Sequence, residues 1–317
     1  MQSKWRLERY TPSCKTIWDE FVRGSRNGTF LFMRDYMDYH ADRFHDCSLM
    51  AYYDNRLSAL LPAHTQDRVF CHKGLTYGGV IADHVMKSRM MLELFNEIMD
   101  FLRDNGFEKF VYSPIPYIYK KYPGEEDLYA LYRVGAQLTA RKISTVVCSC
   151  EERMAFSESK RRNVKRAVKE GLVLCQDDDF EAFWKVLEAN LEEKHHASPV
   201  HSLDEIKRLH ACFPDRIVLH RVCDTEGNTL AGCVMYLTDR VAHAQYISST
   251  EEGRMKRAVD FLFHCLINEV YKDKMYFDLG TSVECGGRVL NEGLIYQKEP
   301  LSLGGSKPMD VFPGWNG

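Results

Sequence analysis

Gly232-Cys-Val-Met-Tyr-Leu237, Thr238-Asp-Arg240 and Val241-Ala-His-Ala-Gln-Tyr-Ile-Ser248 are the stretch that decides the fold. Two short apolar runs flank a polar turn, which is the pattern of a β-hairpin. From Met255 the apolar positions change to helical spacing: Met255, Val259, Leu262, Phe263, Leu266, Ile267 and Val270 form one stripe, opposite Arg254, Lys256, Arg257, Asp260 and Glu269. The spacing predicts one amphipathic helix of about four turns. Met275-Tyr-Phe-Asp-Leu279 then reads as a strand that stops at Gly280. Strand, strand, helix, strand implies a sheet covered by a helix, with polar strand ends beside the helix start. At that start lies Thr250-Glu251-Glu252-Gly253, where unpaired backbone N–H groups favour negative charge, whether from a ligand phosphate or from the two glutamates themselves.

Working outward, 317 residues suggest about two domains, each with its own core. A hydrophobic content of 45% with 27% charged residues is ordinary globular composition, and the net charge of −3 argues against non-specific binding to DNA or anionic membranes. No run reaches the ~20 apolar residues of a membrane span, and the first residues lack a signal-peptide core, so the expected location is the cytoplasm. The 11 cysteines are odd in number and contain no Cys-x-x-Cys, which excludes a zinc knuckle and a disulfide scaffold. His195, His196 and His201 share one loop without a carboxylate at helical spacing, and no metal site is expected there.

Before the hairpin, Ser157 to Gly171 reads as a helix with a serine cap, a glycine stop and six basic residues between Lys160 and Lys169. Asp179 to Lys194 reads as a helix, Ser202-x-x-Glu205 as a capping box, and Ile217 to Val222 as a strand. The first half has a comparable order. A hairpin spans Leu49 to Ala63, Gly78-Gly79 ends a strand, a helix spans Val85 to Leu102 and a strand spans Lys109 to Ser113. Residues 30–40 read as a helix and Gln137 to Cys148 as one long strand, with a domain boundary near Cys150.

With these residues laid out, the second half resembles the FemAB-like, peptidoglycan-bridge-forming branch of the GNAT acyltransferase superfamily. Four features carry the resemblance: the basic helix Ser159-x-Arg161-Arg-Asn-x-Lys-Arg-Ala-x-Lys-x-Gly171, the hairpin with Ala231-Gly232 and Tyr246-x-Ser248-Ser249, the strand Tyr276-Phe-Asp-Leu-Gly280, and Gly293-Leu-Ile-Tyr-Gln-Lys298 followed by Gly304-Gly305. It runs from Glu152 to about Phe312 and reaches the first half only through the order of elements. The resemblance implies an α/β (α+β) fold of two tandem GNAT-like domains, residues 1–150 on the acceptor side and 151–317 on the donor side. Each would be a mixed, mostly antiparallel sheet flanked by helices, with a cleft between domains for acceptor and donor.

The implied activity is acyl transfer, N-acetyl or aminoacyl, onto an amine of a small metabolite or cell-envelope precursor. The other reading is a catalytically silent GNAT-like module that binds a ligand or partner. The donor implied is acetyl-coenzyme A or another acyl carrier. The usual pyrophosphate loop is absent, because Ser249-Thr-Glu-Glu-Gly-Arg254 offers one glycine and two carboxylates. Relatives lacking that loop use aminoacyl-tRNA, whose backbone the basic helix would meet, although a solvated helix face explains the same charges. Acyl transfer needs a neutral amine, a route for its proton and donors for the carbonyl oxygen. Lys298, matching the family's closing lysine, and Asp278, at a strand end, are the catalytic candidates. Tyr246, Ser248, Ser249, Thr250 and Arg254 are the donor-binding candidates, and Tyr77, Gly78, Gly79, Ser113 and Tyr117 the acceptor-binding candidates.

Overall fold

Strand alternation and helical stripes of apolar residues build two separate cores in the computed structural model, which describes residues 4–65, 68–71, 74–149, 156–195, 197–301, 309–311 and 315–316. The chain divides into one unit of Met1–Lys142, Cys285–Arg288 and Asp310–Gly317, and another of Ile143–Glu284 and Val289–Met309. Among the described residues no helix is long and apolar enough to cross a membrane.

In the first unit the strands Trp5–Arg9, Leu49–Tyr53, Arg56–Leu61 and Ile81–Ala82 pair in that order, all antiparallel. The helix Ser88–Asp104 covers them by burying Met91, Leu94, Phe95, Ile98 and Leu102, residues three and four apart on one stripe. A second small sheet pairs Val69–Phe70 in parallel with Phe110–Val111. Tyr112 ties these elements together: its hydroxyl accepts from the Val80 amide at 2.8 Å and donates to Asp127 at 3.0 Å.

In the second unit the sheet runs Val173–Gln176, Ile217–Cys223, Thr229–Leu237, Val241–Ser249, Tyr276–Thr281, Lys142–Cys148. All neighbours are antiparallel except Val241–Ser249 with Tyr276–Thr281, which are parallel, as the intervening helical crossover requires. One core packs Cys233, Met235, Ala242, Ala244, Phe277 and Leu279 against Ala258, Leu262 and Leu266. The basic helix, Glu158–Lys169, docks through Val164 and Ala167 and through Lys160 and Asn163, which both bond to Asp260; Asn163 does so at 2.6 Å. Ser157 caps it by accepting from the Lys160 amide, and the capping box of Ser202 and Glu205 is formed in full.

Three segments differ from the sequence expectation. The helix expected from Met255 to Val270 is broken. Glu251–Met255 is a short segment, Arg257 takes a left-handed φ of 62°, Ala258–Cys265 is α-helical, and Leu266–Val270 is a π-turn. The break leaves Met255 exposed, while Ala258, Phe261, Leu262 and Cys265 keep the core stripe. Residues 30–40 form two 3-10 turns around a one-turn helix rather than a single helix, because Phe30, Phe32, Tyr36 and Tyr39 are all buried and cannot share one face. Gln137 to Cys148 is two strands: Gln137–Leu138 pairs with Trp315–Asn316, and Lys142–Cys148 pairs with Tyr276–Thr281.

His220 gives this core a pH dependence. It is 1% exposed, its Nε2 lies 2.7 Å from the Tyr271 hydroxyl, and burial pushes its pKa down from 6.5 to about 4. A histidine held neutral stabilises above its unfolded pKa, and that contribution is lost as pH falls from 6.5 toward 4. Urea unfolding of the wild type should lose about 3 kcal/mol more across that window than that of the His220→Asn variant, in which the dependence is absent.

Candidate functional site

The parallel pairing in the second unit extends only from Val241↔Tyr276 to His243↔Asp278. Beyond that rung the strand Val241–Ser249 continues to Ser249 and its neighbour to Thr281 with no further pairs between them, so the sheet opens into a wedge. A β-bulge at Gln245 sits at the mouth of this wedge: Ala244 opposes Met235 and Tyr246 opposes Val234, leaving Gln245 between them.

Polar side chains line the opening. Asp278 is 4% exposed, accepts from His243 Nδ1 at 2.9 Å through Oδ2, and accepts from the Gly280 amide at 2.8 Å through Oδ1. The carboxylate therefore both caps the turn at Gly280, where φ is 76°, and orients the imidazole. Lys298, delivered by the helix Glu292–Lys298, donates to the Gly280 carbonyl at 3.0 Å, the Thr281 carbonyl at 2.8 Å and the Ser282 hydroxyl at 3.0 Å. All three of its N–H bonds are used. Burial lowers its pKa from 10.5 to about 8, against the opposing pull of Asp278.

On the same strand the Tyr246 hydroxyl lies 2.5 Å from His201 Nδ1 and accepts from the His201 amide at 3.3 Å, with the Trp184 ring edge-on at 5.2 Å. Burial raises the Tyr246 pKa to about 12, so it is a neutral hydroxyl at physiological pH. Asn190, from the helix Phe180–His195, donates to the Ser248 hydroxyl at 2.8 Å and the Ser249 carbonyl at 2.6 Å, and accepts from Arg254 at 3.0 Å. Thr250 caps the following segment by accepting from the Gly253 amide at 2.9 Å. A Cβ at Gly253 would lie 2.0 Å from the Leu230 carbonyl oxygen, so this glycine is required by packing against the hairpin. With its glycine amide already taken and Glu251 and Glu252 exposed beside it, the turn does not fit a coenzyme pyrophosphate.

Lys298 and Asp278 thus lie close together beside the His243 rung, Tyr246, Ser248 and Ser249 follow further along the strand that carries His243, and Thr250 and Arg254 are engaged in the turn after it. His243, Asn190 and Gln245 were not singled out from sequence, and His201 was weighed only as a metal ligand. In the first unit Tyr77 is buried, with its hydroxyl 3.2 Å from the Thr29 hydroxyl. A Cβ on Gly78 would lie 2.1 Å from the Cys71 carbonyl oxygen, and one on Gly79 2.7 Å from the Tyr112 hydroxyl. The Gly78 amide donates to the Ser113 carbonyl, and Tyr117 is exposed. Among the described residues no group of three His, Cys, Asp or Glu side chains is placed to hold a metal ion; His196 and Gly304-Gly305 lie outside the described residues.

Comparison with known proteins agrees with this architecture. Residues 156–287 match the family model described as an acetyltransferase (GNAT) domain. No curated protein matches the sequence. Among solved structures, FemX matches with a TM-score of 0.68 at 9% identity, covering 98% of this chain and 96% of its own. L-PGS from Bacillus licheniformis matches with a TM-score of 0.59 at 12% identity, covering 96% and 90%. A tandem GNAT protein from the clavulanic acid biosynthesis pathway matches with a TM-score of 0.54 at 9% identity, covering 99% and 98%. Within the second unit the similarity to a GNAT acetyltransferase domain thus covers residues 156–287. Over its whole length the chain has the tandem GNAT, FemAB-like fold, a mixed α/β architecture of several sheets flanked by helices.

Lys298→Met would leave two carbonyls and the Ser282 hydroxyl without their donor. We expect a loss of about 2–4 kcal/mol in unfolding free energy, read by chemical denaturation.

Proposed function

We propose that the protein is an acyltransferase that moves an acetyl, aminoacyl or related acyl group onto an amine of a small metabolite or cell-envelope precursor. The observation that carries this reading is the wedge at the His243–Asp278 rung, where a buried carboxylate–imidazole pair and unpaired strand backbone lie within the segment similar to a GNAT domain and Lys298 braces the strand end. Strand backbone N–H groups released from pairing beyond His243 are donors for the carbonyl oxygen of a bound acyl group. Asp278 holds His243, and that pair offers the proton of the attacking amine a first acceptor. Lys298 fixes the backbone from Gly280 to Ser282 and so the position of Asp278. On this reading Tyr246, Ser248 and Ser249 contact the donor's acyl end, Thr250 and Arg254 shape the turn beyond it, and Tyr77, Gly78, Gly79, Ser113 and Tyr117 belong to an acceptor-side surface of the first unit.

The turn at Thr250 supports recognition of the donor by its acyl end rather than by a pyrophosphate. This leaves room for an acyl carrier other than coenzyme A. The same turn is what favours the second reading, a silent binding module. The location we infer is cytoplasmic.

Thermal-shift and thiol-release measurements with acetyl-coenzyme A and S-acetyl-pantetheine, with uncharged tRNA as a third ligand, test the proposal. Both thioesters should raise Tm similarly at equal concentration, and Asp278→Asn should reduce turnover with a primary amine by on the order of 100-fold. Ligand-induced stabilisation without turnover from any donor would establish the silent module instead.

A further inference from the structure

The bulged residue at the wedge has a feature the scheme above does not use. Gln245 is half-buried, its side chain hydrogen-bonds the Tyr246 hydroxyl, and its Oε1 is enclosed and accepts no hydrogen bond among the described residues. An enclosed carbonyl oxygen without a donor costs about 1–3 kcal/mol, so such atoms are uncommon unless a partner arrives. The surrounding geometry is specific. The bulge takes Gln245 out of the ladder with Thr229–Leu237, and the parallel ladder on the other side has already ended at His243. Bulges of this kind re-aim a side chain next to a reacting centre.

We infer that Gln245 selects an amine acceptor over a hydroxyl one: its Oε1 accepts one N–H of the neutral primary amine while the nitrogen attacks the acyl carbon. This rests on the transferase reading above. The chemistry supplies the selectivity. In the transfer the nitrogen forms the new C–N bond and the donor's C–S or C–O bond breaks. One amine proton ends on the leaving sulfur or oxygen, and the other N–H stays in the product amide. The hydrogen that Gln245 holds is the one retained. A hydroxyl nucleophile has a single hydrogen, which must leave, so it cannot satisfy Oε1 through the reaction. A site built to receive a hydrogen bond disfavours the analogue that lacks it.

Two variants and two readouts decide this. Gln245→Met keeps the size of the side chain but has no amide, and Gln245→Glu keeps acceptor oxygens. Expected are a Tm for unliganded Gln245→Met equal to or above that of the wild type, because the lost bond to Tyr246 is offset by removal of the stranded oxygen. In thiol release from S-acetyl-pantetheine, tested with glucosamine, Nα-acetyl-lysine and glycinamide beside their hydroxyl counterparts, Gln245→Met should lose about 10–100-fold in kcat/KM for amines and none for hydroxyls. Gln245→Glu should recover part of that loss. A lowered Tm in Gln245→Met would make Gln245 a structural residue and overturn the inference, as would unchanged amine selectivity. A wild type that acylates hydroxyls but no amine overturns the amine assignment alone, one that acylates neither overturns the transferase reading beneath it, and the Tm comparison shows separately whether the stranded oxygen is a structural cost.

Discussion

The second unit depends on a buried ammonium. Lys298 enters from the helix Glu292–Lys298 and places all three of its hydrogens on Gly280, Thr281 and Ser282, a segment that has just left the parallel ladder with Val241–Ser249. Strand ends that leave a sheet carry unpaired carbonyls, and burying those without donors is costly. The lysine removes that cost and fixes the turn whose amide holds Asp278, which in turn holds His243. Its lowered pKa is the physical sign of how little water reaches it. One side chain near the end of the chain thereby sets the geometry of two strands that precede it.

Much of this was legible in the sequence, for identifiable reasons. The hairpin Thr229–Leu237 and Val241–Ser249 announces itself through apolar runs and a polar turn, and the capping box at Ser202 through a local rule. Lys298 and Asp278 were singled out through motif resemblance and strand-end position. His243 was not, because its partner is set by the register of two parallel strands separated by a helix, and no local signal encodes that register. Gln245 and Tyr246 side by side in an otherwise apolar run were the available hint of a bulge. The break at Arg257 was hidden because Met255 continues the apolar stripe in sequence but lies outside it in space.

The two units solve a shared problem with different residues. In each, short parallel strands are joined through a helical crossover, Val69–Phe70 with Phe110–Val111 in the first and Val241–His243 with Tyr276–Asp278 in the second. Where the second unit leaves its strand ends polar and open, the first fills the equivalent stretch with Tyr112, whose hydroxyl is committed to Val80 and Asp127, and with glycines pressed against Cys71 and Tyr112. Similar order of elements therefore coexists with dissimilar residue roles, which is why the halves show little identity.

The bulge at Gln245 makes the length of its strand, rather than only its composition, a determinant of the site. Side chains on a strand alternate faces with a period of two, so each residue after the bulge owes its orientation to the one extra position. Were the ladder to run regularly through Gln245, pairing it with Val234, then Tyr246 would fall opposite Cys233 and Ser248 opposite Ala231, on the core face and away from His201 and Asn190. Such a one-residue slip of register would leave composition untouched and erase the polar lining in one step.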